Sequence, residues 1–156
     1  MSKGLRVFGH PLHAVLSDFP LALLGTSLLW DAVGLWRGEA VWWSISFWTI
    51  AFGLAAAVLT ALAGAVDYAA IPQDHPAGGT ALRHMMLMMA ALCPYLISVV
   101  LRGGPQPPAG TGRFVVPALE AVGLLLLSAG GWYGGHLVFH HGIGSDARKE
   151  DGQQKS

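Results

Sequence analysis

Seven histidines stand out in this 156-residue chain: His10, His13, His75, His84, His136, His140 and His141. Neutral imidazole is the common protein ligand for haem iron and for copper, zinc or nickel. A b-type haem needs two axial side chains at matching depth on facing helices. It also needs small residues where the macrocycle passes between backbones. His84 facing His13 or His136 meets the first need. Gly130, Gly131, Gly134 and Gly135 directly precede His136 and form overlapping small-xxx-small steps that allow close approach of a ring or another helix. Arg6 and Arg83 have the planar donor fork that suits haem propionates. His10 and His141 complete the set of metal-ligand candidates. His136 and His140 are four apart and share one helical face.

Two other readings use the same residues. The run His84-Met85-Met86-Leu87-Met88-Met89 pairs imidazole with thioether sulfur, a soft donor set suited to copper(I). His84 shares a helical face with Met88, and Met85 with Met89; methionine also fills apolar interfaces without any metal. Histidine is moreover amphipathic and tolerated where a helix meets the membrane surface. In that reading the chain is a non-catalytic anchor or scaffold subunit.

The elements that must carry these residues are membrane-spanning helices. The chain is 53% hydrophobic and only 12% charged, against about 25% charged in soluble domains, and its mean hydropathy is +0.51. A bilayer core about 30 Å thick takes roughly 20 apolar residues per helix. Four segments qualify, at about 13–36, 41–67, 81–101 and 114–140, so the fold class is all-α: an integral membrane four-helix bundle with both termini on one side. Pro20 and Pro94 are expected to bend their helices; a first helix starting at Asp18, with Pro20 in its first turn, competes. Pro11 opens the first helix in the main reading. Arg37-Gly38-Glu39 is a tight turn, residues 68–80 a loop, and Arg102 to Arg113 a flexible Gly/Pro linker. Residues 145–156 read as a polar disordered tail. No internal repeat is strong enough to argue from.

On this topology all seven histidines fall on the side of the termini, joined by Asp18 and Asp67, whereas Asp31 and Glu120 lie toward the other side. Lys3, Arg6, Arg83, Arg148, Lys149 and Lys155 share the terminal side, against Arg37, Arg102 and Arg113 opposite, so the positive-inside rule places the termini in the cytoplasm. Trp36, Trp42, Trp43 and Trp48 gather near the opposite face and Trp132 near the histidine face, as an interfacial aromatic belt does. A bundle closed within one chain and one completed by a second copy both fit.

Other chemistry finds no support. Nine basic and nine acidic residues cancel, which speaks against nucleic-acid binding. The lone Cys93 excludes an intramolecular disulfide and a thiolate cluster, and reads as a small buried hydrophobe. No nucleophile–base pair, phosphate loop or dinucleotide fingerprint is present, so no catalytic residue is assigned. An uncleaved first span follows from the missing small-residue cleavage site.

The opening Gly9-His10-Pro11-Leu12-His13 with Asp18-Phe19-Pro20 resembles the start of a bacterial membrane-protein family of unknown function. Gly131-Trp132-Tyr133-Gly134-Gly135-His136-Leu137-Val138 and His141-Gly142-Ile143-Gly144 look like that family's glycine-rich last helix and its HG-containing close. The resemblance spans nearly the whole hydrophobic region. It implies the bacterial inner membrane, and its Rieske-fused members imply redox company such as a Rieske-type protein, a cytochrome or a quinone. His10, His13, His84 and His141 fall where the family pattern carries histidine, and His136 where it varies. The combined expectation is a cytochrome-like electron-transfer subunit with bis-histidine haem b near one membrane face; the alternatives are a copper ion and a non-catalytic anchor.

Overall fold

Apolar side chains turn outward and small or polar ones inward, the reverse of a soluble bundle. In the computed structural model, which describes residues 4–143, Leu125, Leu62, Val100 and Phe52 are all more than half exposed. The interior is built from Ser27, Ser46, Thr60, Ser98, Gly53, Gly123 and Gly130 together with Leu24, Ile50, Ala91, Tyr95 and Leu127. Lipid supplies no hydrophobic force between helices, so close approach through small residues and interhelical hydrogen bonds takes its place.

Four helices follow in sequence: α1 (Leu12–Arg37), α2 (Ala40–Ala69), α3 (Gly78–Arg102) and α4 (Gly112–Phe139). Each is long and apolar enough to cross a bilayer. The expected count of four helices and the all-α membrane bundle are therefore observed. α1 starts ahead of Asp18, and Pro20, Pro94 and Pro117 all sit within unbroken helical segments. Gly38 and Gly103 end α1 and α3 in the left-handed region, at φ of 72° and 66°. Their N–H groups return to the carbonyls of Gly34 and Val99. Glycine alone adopts that cap without a Cβ clash.

Three expectations are corrected here. Pro11 does not open a helix that includes His10: a two-stranded hairpin, β1 (Arg6–Val7) and β2 (His10–Pro11), precedes α1. Its turn puts Phe8 and Gly9 at φ of 50° and 84°, and the Leu5 N–H donates to Asp67 Oδ1 at 3.1 Å, tying the hairpin to the end of α2. Arg102 is the last residue of α3, with a buried side chain, and not part of the linker. Cys93 is exposed on the outer surface of α3. The expected polar tail at 145–156 lies outside the described residues, as do Lys3 and Gly144.

The closest-packed pairs are α1 with α2 and α3 with α4, and these two hairpins repeat one another. Ser27 and Ser98 are buried equivalents, as are Leu24 and Tyr95. Gly53 lies against Leu24, and Gly123 against the Tyr95 ring. Residues 51–60 and 121–130 show the same succession of exposed, half-buried and buried positions. The chain thus contains an internal repeat, in spacing and packing more than in residue identity. Tyr95 joins the halves across the centre, its hydroxyl donating to the Leu24 carbonyl at 3.0 Å.

Candidate functional site

The repeat brings two of the seven histidines together. His13, in the first turn of α1, and His84, in the second turn of α3, meet across the bundle with ring centroids 6.2 Å apart and planes nearly perpendicular. Each ring is anchored on the helix beside it. His13 Nδ1 is 3.0 Å from the Thr60 carbonyl oxygen of α2, and His84 Nδ1 is 2.8 Å from the Gly130 carbonyl oxygen of α4. In both cases the nitrogen is the donor, so the proton sits on Nδ1 and the Nε2 lone pair is left for another partner. This is the tautomer in which histidine ligates a metal through Nε2.

Glycines make the approach feasible. A Cβ on Gly64 would lie 2.8 Å from His13 Cε1, and one on Gly134 would lie 3.0 Å from His84 Cε1. Gly134 therefore serves the site, but by admitting the His84 ring to the α4 backbone. Gly131 has nothing within 4 Å of a built Cβ, and Gly135 only the edge of Phe139; neither faces the pair. Met88, on the same face as His84, packs its Sδ and Cε against Gly130, whereas Met86 and Met89 point outward.

The remaining histidines occupy the periphery. His10 is exposed on β2. His136 stacks on His140 with centroids at 4.6 Å, and His141 meets both edge-on at 5.4 and 5.0 Å. His141 Nε2 is 3.4 Å from Thr80 Oγ1. Partial burial, then the neighbouring imidazoles His140, His136 and His75, lower its proton affinity below the usual histidine value. His75 instead accepts from the Ala77 N–H at its Nδ1. Arg6 Nε donates to the Gly9 carbonyl within the hairpin, and Arg83 is exposed at the start of α3. Among the described residues, no group of three or more His, Cys, Asp or Glu is placed to hold a metal ion. Any ligand set here is two imidazoles, or two imidazoles with donors of another kind.

A second polar centre went unforeseen. Asp31 follows His13 and Arg102 follows His84 by eighteen residues each, five helical turns and about 27 Å along the axis. Arg102 forms buried ion pairs with both Asp31 and Glu120. Trp43, expected in an interfacial belt, is 4% exposed and lies over the guanidinium, 5.7 Å from ring centre to Cζ. Trp36, Trp48 and Trp132 face outward, whereas Trp42 stacks on Trp30 at 6.0 Å with its Nε1 buried.

The model of the predicted membrane protein family DUF2231 matches residues 9–147. The chain belongs to DUF2231. The match runs from the tip of the N-terminal hairpin past the end of α4, so both polar centres lie within the family domain. No curated protein and no solved structure matches the chain.

Proposed function

We propose that this DUF2231 protein is a cytochrome-like membrane electron-transfer subunit in which His13 and His84 are the axial ligands of one b-type haem. The observation that carries the reading is the pair itself: two Nδ1-anchored imidazoles on different helices, at matching depth, with both Nε2 atoms left for ligation. With ring centroids 6.2 Å apart, the two imidazoles are near enough that they would hold one metal ion between them. The donor set also suits haem iron, since bis-imidazole ligation by neutral histidines needs no third protein ligand. When bound, the haem supplies one-electron chemistry. The chain's own residues fix the ring planes through the Thr60 and Gly130 carbonyls. Arg6 and Arg83 lie at the same end and carry the planar donor fork that suits propionates.

A copper(I) centre is the second reading, favoured by Met88 lying beside His84 along the Gly130–Gly134 stripe of α4. Its set would be His13, His84 and Met88. In either case the partners are a quinone or a redox protein such as a cytochrome or a Rieske-type protein, and the location is the bacterial inner membrane.

A reduced-minus-oxidised visible spectrum of protein purified in detergent, after expression with ample haem, tests the proposal. Soret and alpha bands are expected in the wild type and in His10→Ala and His136→Ala, and are lost in His13→Ala and His84→Ala. Colourless wild-type protein refutes the haem. Stoichiometric copper that depends on His84 and Met88 then selects the second reading, and absence of both leaves the anchor role.

A further inference from the structure

At the membrane side away from the histidine pair, all four helices contribute to one buried charged cluster. The Asp31, Arg102 and Glu120 side chains have no solvent exposure. Arg102 Nη2 donates to Asp31 Oδ2, to Glu120 Oε1 at 2.7 Å and to Ser46 Oγ at 3.1 Å; Nη1 donates to the Trp43 carbonyl at 3.4 Å. Ser98 Oγ donates to Glu120 Oε1 at 3.0 Å. Tyr95 is the other titratable group in electrostatic reach of Glu120, and its hydroxyl is already engaged with Leu24.

The charges do not balance. Arginine stays protonated in proteins, so two ionised carboxylates would leave one uncompensated negative charge at membrane depth, which is costly. The hydrogen bonds do not balance either. Asp31 Oδ1 and Glu120 Oε2 are buried with no partner, and the two carboxyls are neighbours that share Arg102 Nη2 as donor. Two acceptors cannot bond without a hydrogen between them. One added proton removes the excess charge and converts one orphaned acceptor into a donor.

We propose that Asp31 and Glu120 share one bound proton beside Arg102, making this cluster a proton-binding site that exchanges with the membrane side opposite the histidines. Binding is the conversion of one carboxylate to a carboxylic acid by one proton, with no oxidant or reductant. The route is a cavity of about 460 Å³ lined by Gly34, Gly38, Trp43, Arg113 and Phe114 among others. Trp43 belongs to both the cavity and the cluster, with its indole between them. Gly34 makes room for that ring, since a Cβ there would lie 2.9 Å from its Nε1. The proton site lies about 27 Å along the helix axis from the imidazole pair, and does not depend on what that pair binds.

Infrared difference spectroscopy of the full-length protein in nanodiscs tests this. The wild type at neutral pH is expected to show the carbonyl stretch of one neutral carboxylic acid, shifted in D2O and bleached as the pH is raised. Sharing makes a distinctive demand on variants. Glu120→Gln and Asp31→Asn should each abolish the band, because one carboxylate beside Arg102 is already neutralised. Arg102→Gln should double it. Trp43→Ala should accelerate its hydrogen–deuterium exchange. Absence of the band in the wild type overturns the proposal without reference to any variant. So does a band lost in only one of the two carboxyl variants, which marks a lone acid, or one that neither titrates nor exchanges, which marks a structural proton. Circular dichroism confirms that each variant keeps its helices.

Discussion

Replacing Arg102 with methionine tests the physical account of the fold most severely. The substitution keeps a long unbranched side chain at the end of α3 but removes the donor shared by Asp31, Glu120, Ser46 and the Trp43 carbonyl. Removing one member of a buried ionic group costs about 3–5 kcal/mol, because charges or carboxyl dipoles remain buried without compensation. At about 1.4 kcal/mol per decade, the folded-to-unfolded ratio should fall by roughly two to four orders of magnitude. Reversible unfolding in mixed dodecyl sulfate micelles, followed by circular dichroism, measures this. The variant's carboxyls favour their protonated forms only when buried, so its folded state takes up protons that the unfolded state does not. Its stability must therefore rise as the pH is lowered. The decisive control is the apolar triple variant Arg102→Met, Asp31→Leu, Glu120→Met, expected within about 1 kcal/mol of wild type because replacing a whole buried ionic group is near neutral. A single variant costing less than about 1 kcal/mol, or a triple variant as unstable as the single, refutes the reasoning.

The glycines give a graded series. Gly64→Ala and Gly134→Ala, which press a methyl against His13 and His84, should each cost about 1–3 kcal/mol in the same assay. Gly131→Ala, with open space around it, should stay within about 0.5 kcal/mol. Tyr95→Phe removes the hydroxyl that bridges α3 to α1 and should cost about 0.6 kcal/mol, the mean for such bonds in membranes. His141 should titrate below its ordinary value of 6.5 by NMR, and His140→Gln should raise it. The folded end of α4 thus prefers neutral His141: its contribution to stability is complete above pH 6.5 and is lost as the pH falls through the lowered value.

The four spans were legible because lipid imposes a length and a hydropathy that no other environment requires. His13 and His84 were legible because ionisable residues at membrane depth are rare enough to notice individually. Arg102 was misread because Gly103 and Gly104 follow it directly, and a cation next to a glycine pair looks like a loop residue. Its spacing was the missed signal: His13 to Asp31 and His84 to Arg102 are the same five turns, with Ser27 and Ser98 at matching steps between them. Residue identity hides that repeat, since one half carries an acid where the other carries a base. Composition likewise could not separate Trp43 from its neighbours Trp42 and Trp48. Only the packing at Gly34 and Arg102 turns it inward. The N-terminal hairpin escaped notice because its left-handed turn begins at a phenylalanine, a residue that carries no turn signal.

The opposed charges at one repeated position make the two hairpins complementary. Two copies of the first would bring aspartate to aspartate across the centre, and two copies of the second arginine to arginine. The first pairing leaves two carboxylates without a cation and the second crowds two guanidinium groups together, whereas the mixed pair is neutral once it takes up one proton. If the chain is divided in the loop between Ala69 and Gly78, each half has an electrostatic reason to choose the other over itself. The asymmetry that obscures the common pattern of the halves is also what commits them to a single partner.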